Sequence, residues 1–148
     1  MSDSIPTPKL TYTAVSFALL VPVLIWPVFW WGEASLNPGL DIGQVWLLAA
    51  ATLLISAIGV DSVLHYRTDH LSPFFAAGWI LFGTLAVSMA LRTEHGAFLI
   101  GCLFALHATR SGIGLWRHGE EWWLWPAWVR DTLAALGMFA WQILLSHV

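Results

Sequence analysis

HGAFLIGCLFALHATRSGIGLW, residues 95 to 116, decides how this chain is read. The run is nearly all apolar and long enough to span a bilayer, whose ~30 Å hydrocarbon core needs ~20 such residues in a helix. Yet His107 and Arg110 lie within its second half. Ionisable groups inside a spanning helix are costly and tend to face protein or water, so they mark a candidate site. Gly101, Ala105, Ala108 and Gly112 recur at helical spacing on the same segment. Small residues of this kind let a neighbouring backbone approach closely. The run therefore reads as the central helix of a small bundle, with a polar pocket near one end.

The rest of the composition agrees. The chain has 148 residues, of which 58% are hydrophobic and 10% charged, with a mean hydropathy of +0.72. Soluble domains carry about 25% charged residues, and a soluble fold of this size could not hide so much apolar surface. Lipid is the expected solvent. A net charge of −3 without any basic stripe gives no footprint for nucleic acid. The single cysteine, Cys102, can form no internal disulfide and reads as a small packing residue. The N-terminus has Asp3, a single Lys9 and a long apolar run, which does not resemble a cleaved signal.

Outward from the central run, four further apolar segments predict helices, giving an all-α bundle of five transmembrane helices over about residues 10–31, 42–66, 71–91, 95–116 and 126–146. The first contains Pro22 and Pro27, which should kink it. It is the weakest span, and a re-entrant reading of it would leave a four-helix variant. Residues 1–9 read as a short tail, 32–41 as a loop around Pro38-Gly39, and RTDH (67–70) and RTEH (92–95) as tight turns. WWLWPAW, residues 122–128, reads as an interfacial anchor, because indole prefers the headgroup region. Lys9, Arg67, Arg110, Arg117 and Arg130 fall on or near the N-terminal side of the predicted spans and only Arg92 opposite. Basic residues favour the cytoplasmic face, so the N-terminus is expected inside and the C-terminus outside, in a cell or inner membrane.

The same placement gathers Asp61, His65, His107, Arg110, Arg130 and Asp131 in the cytoplasmic half. Asp61 and Arg110 are deep and at similar depth, so mutual pairing is the expected arrangement. Arg130 and Asp131, near the start of the last helix, are expected to reach the headgroups, Asp131 also suiting the positive helix end. His107 has three readings: a hydrogen bond to a neighbouring helix, an axial haem ligand shared with a partner chain, or an acid–base group. No zinc, nucleophile-elbow or phosphate-loop motif is present. The eleven tryptophans fit an interfacial belt better than a wall for a flat ligand such as a quinone, sterol or tetrapyrrole.

Two functions follow as expectations. The first is a small subunit or accessory protein of a larger membrane complex, with membrane lipids, other membrane-protein subunits or its own copies as partners and without catalysis. The alternative is a protein or enzyme that binds a small ligand, a lipid, quinone or tetrapyrrole such as haem, through the polar cluster.

Overall fold

The computed structural model describes residues 8–30, 42–69, 73–117 and 121–145. The expected N-terminal tail, the 32–41 loop and the position of His70 lie outside the described residues. Five helices appear in the order α1 (Pro8–Trp30), α2 (Ile42–Asp69), α3 (Pro73–Ala90), α4 (Gly96–Arg117) and α5 (Leu124–Leu145). Proline opens α1 and α3 and sits in the first turn of α5, where its missing N–H costs nothing. Residues 67–69, expected in a turn, continue α2 instead.

The bundle is all-α. Three helices carry segments long and apolar enough to cross a membrane: Lys9–Val28, Gly43–Leu64 and Gly96–Arg117. The apolar part of α3, Ala77–Ala90, is shorter, and α5 carries Arg130 and Asp131 in its interior. The expectation of five spans thus narrows to a five-helix bundle in which three helices have spanning character.

α2, not α4, is the hub. It packs on each of the other four helices, whereas α4 packs on α2, α3 and, most extensively, α5. On α4 the buried stripe is Gly96, Ile100, Gly101, Phe104, His107, Ala108 and Ser111, the spacing of one helical face. Gly101 lies against the Phe139 ring and Gly112 against the Trp128 indole, both on α5. Ala105 is half-buried and Ala108 buried. Leu20, Val23, Trp46, Leu54, Phe104 and Met138 are among the residues of the main apolar core. The outer faces expose large apolar side chains, including Phe74, Leu81, Met89, Leu106 and Leu136. Hydroxyls on these faces fold back on their own helix: Thr52 donates to the Leu48 carbonyl and Thr109 to that of Ala105, each at 2.8 Å. Such bonds satisfy the hydroxyl within its own helix.

The backbone gap that proline leaves in α1 has a specific partner. Pro27 has no N–H to give the carbonyl of Val23, four residues earlier. The Trp46 indole of α2 donates to that carbonyl at 2.9 Å, in a fully buried position. At the next residue, the Trp141 indole of α5 donates to the Leu24 carbonyl at 2.9 Å. Two tryptophans that composition assigns to a belt are therefore structural ties between helices. Between α3 and α4 the chain turns through 91–95, closed by Gly96 N–H donating to the Thr93 carbonyl at 3.0 Å. A Cβ at Gly96 would press on the Ala90 carbonyl at 2.5 Å, so this turn requires glycine.

Candidate functional site: a buried charged layer

The start of α1, the later part of α2, the later part of α4 and the start of α5 meet at one end of the bundle. Each contributes one or two polar side chains. Asp61 follows Ala50, Leu54 and Ala57 on the inner stripe of α2. His107 lies on the buried stripe of α4. On α5 the inner stripe runs Ala127, Arg130, Asp131, Ala134, Ala135, Met138. All four charged or ionisable residues are sealed: Asp61 and Asp131 are 0% exposed, His107 and Arg130 2%.

Arg130 is the hinge of the cluster. Its Nη2 donates to Asp61 Oδ2 at 2.8 Å and to Asp131 Oδ2 at 3.0 Å, and its Nε donates to Asp131 Oδ1 at 2.8 Å. Tyr12 on α1 donates its hydroxyl proton to Asp61 Oδ1 at 2.6 Å. His107 Nδ1 lies 2.7 Å from Asp131 Oδ2 and 3.9 Å from Asp61 Oδ2. An ionised carboxylate can only accept, so beside ionised Asp131 the ring hydrogen sits on Nδ1. The other nitrogen, Nε2, is buried and has no hydrogen-bond partner among the described residues. Asp131 thus orients the ring, and in the neutral imidazole Nε2 keeps its lone pair, the orientation used by histidines that accept protons or bind ligands.

Charge counting completes the description. Two carboxylates and one guanidinium sum to −1 with neutral imidazole and to zero with imidazolium. Asp61, His107 and Asp131 also offer one donor atom each within 4.8 Å of one another, a spacing able to hold a metal ion. In this arrangement the Arg130 guanidinium already bridges the two carboxylates. Below the layer lies the main core. Above it, towards the α4–α5 connection, Trp123, Leu124 and Ala127 form a second apolar cluster with Tyr12, Leu64, Leu115 and Trp122 packed on it. The Trp122 ring stands edge-on to Tyr12, centroids 5.5 Å apart. The charged layer is closed by apolar side chains on both sides.

Two expectations are corrected here. Asp61 takes Arg130, not Arg110, as its cation; the Arg110 guanidinium lies 5.1 Å over the Trp79 ring of α3. Arg130 and Asp131 do not reach the headgroups but form the centre of the site. The reason is the face they occupy: α5 begins at Leu124, Trp123 and Leu124 cap the bundle beyond it, and the two charges point inward with Ala127 and Ala134. The side chain of His65 lies outside the described residues. Tyr12 was not singled out from sequence, and nothing in its polar neighbourhood at the chain start distinguishes it.

A third correction concerns catalysis. A chain without catalysis was the expectation, resting on the scarcity of reactive groups. The buried His107–Asp131–Arg130–Asp61 cluster overturns it, because it is a site capable of binding or catalysis. Comparison of the chain with protein-family profiles, with curated proteins and with solved structures finds no match.

Proposed function

We propose that this chain is an integral membrane protein that binds a small ligand at the Asp61–His107–Arg130–Asp131 layer, with His107 Nε2 available for proton exchange with it. The carrying observation is a sealed, cross-helix set of charges in which one imidazole nitrogen is left without a partner. A purely structural ion pair would need only Asp61 and Arg130. The added Asp131–His107 pair orients a nitrogen that no packing role uses. The reading as a subunit of a larger complex gains less support, since helix packing alone calls for no such layer. An axial haem position shared with a partner chain would require the His107 ring, 2% exposed, to leave the bundle.

The test is purification in mild detergent followed by extraction and mass spectrometry of bound small molecules. The expected result is a stoichiometric molecule on the isolated chain that is lost from His107→Ala while helicity and melting behaviour persist. Recovery only in association with other proteins, with no bound molecule, would overturn the reading. A second reading rests on the donor spacing of Asp61, His107 and Asp131: a metal ion taken up there as Arg130 withdraws. Elemental analysis of the same preparation decides it, with about one equivalent of a transition metal expected if it holds.

The five helices are further proposed to cross the membrane with the α1 start and the α4–α5 connection on the cytoplasmic side. The five-to-one distribution of basic residues supports this orientation.

A further inference from the structure

The outer face of the bundle between α1 and α2 carries a half-open groove of about 220 Å³, lined by Val15, Leu19, Leu53, Ala57 and Val60 and ending at Tyr12 and Arg130. A shallower furrow sharing Ser56 and Val60 continues along α2 past Gly59, where even an added Cβ would meet nothing. The groove walls are apolar, but its end is the cationic pivot of the buried layer. Of the five N–H groups of a guanidinium, those of Arg130 Nε and Nη2 are taken by the two carboxylates. Nη1, with two N–H groups, has only a 3.4 Å contact with the Tyr12 hydroxyl. That hydroxyl has already given its proton to Asp61. The groove therefore ends on an underused donor, with the Thr11, Ser16 and Ser56 hydroxyls as the other polar groups of its lining.

We propose that this groove holds a single-chain membrane amphiphile whose head is an uncharged carbonyl, the oxygen accepting from Arg130 Nη1 beside Tyr12 and the chain lying along Val15, Leu19 and Leu53. Charge selects the head. Two carboxylates already share one guanidinium, so an anionic head would add negative charge where there is an excess. A cationic head would meet the Arg130 guanidinium, a like charge, at the groove's end. A neutral acceptor satisfies the open N–H without changing the balance. Shape selects the chain: a half-open groove of about 220 Å³ that runs on into an open furrow along α2 suits an extended chain. A quinone and an acyl ester share this chemistry. The proposal rests on the reading of the charged layer as a ligand site.

The full chain in nanodiscs is irradiated with two tail-labelled diazirine probes, a benzoquinone and a monoacylglycerol, and the adducts are mapped. Adducts are expected on residues 11–19 and 53–60. Competition by unlabelled decylubiquinone but not monoolein assigns a quinone, and the converse assigns an acyl ester. The matching fatty acid and alkylammonium should compete about tenfold less well, which is ~1.4 kcal/mol. Val15 and Val60 are exposed, so Val15→Trp and Val60→Trp fill the groove at sites that tolerate bulk, and each should cut labelling about tenfold with melting unchanged. Adducts spread evenly over the outer faces, labelling indifferent to both tryptophans, or equal competition by the carboxylate would overturn the proposal. If both variants keep a molecule whose binding depends on His107, the groove is overturned and the ligand reading of the charged layer stands.

Discussion

At the residue scale, Arg130 holds the site together, and its removal strands two buried carboxylates. Loss of one partner from a buried ion pair costs about 3–5 kcal/mol, so Arg130→Ala should lower the melting temperature in detergent more than any other single change in the layer. Asp61→Ala should cost less, since Asp131 still pairs with the guanidinium. The double change should cost less than the sum of the two. Arg110→Ala, which forfeits a contact with the Trp79 ring, should cost only about 0.5–1 kcal/mol. Thermal unfolding of the four proteins checks all of this, and a larger loss for Arg110→Ala than for Arg130→Ala would refute the assignment of partners. The depth of Asp61 and of His107 was legible in the sequence, because both interrupt apolar runs. The partner of Asp61 was not, since depth counted along one helix says nothing about the facing direction. A usable signal existed on α5. Arg130 and Asp131 fall in register with Ala127, Ala134 and Ala135, small residues that mark the face packed on other helices.

At the element scale, α1 keeps its place through a carbonyl that its own proline leaves open. Trp46→Phe retains the ring but strands the Val23 carbonyl, and a buried orphan acceptor costs about 1–3 kcal/mol. In a Pro27→Ala background the backbone N–H of residue 27 is restored, so the same Trp46→Phe change should cost clearly less. Equal penalties in the two backgrounds, read by thermal melts, would show that the indole does not serve the proline gap. Sequence placed the prolines inside the helix but assigned tryptophans as a class to the interface, and so missed that single indoles act as bonds. Glycines offer a second comparison. A Cβ at Gly101 would stand 2.9 Å from Phe139, so Gly101→Val should destabilise by about 1–3 kcal/mol through overpacking. Gly59 faces open space, and Gly59→Ala should be neutral or stabilise by up to ~1 kcal/mol through helix propensity.

At the scale of the whole molecule, the helix count and approximate limits could be read from apolar runs, since these are long and separated by Pro, Gly and charges. The pairing of helices could not, because every run is apolar on most faces and gives only a weak directional signal. The proposed orientation is tested by fusing a reporter active only in the cytoplasm after Val148. It should be silent there and active when placed before Met1. A strong signal from the fusion after Val148 would overturn the orientation, and strong signals from both fusions would require an even number of spans and would remove the five-span topology.

The division of the charged layer between early and late helices bears on how the chain is made. If the helices enter a bilayer as proposed, Asp61 and His107 are in place before Arg130 and Asp131 have been made. Until α5 packs, the Asp61 carboxylate has the Tyr12 hydroxyl of α1 but not the guanidinium that holds it in the finished fold. Only completion of the last helix closes the layer.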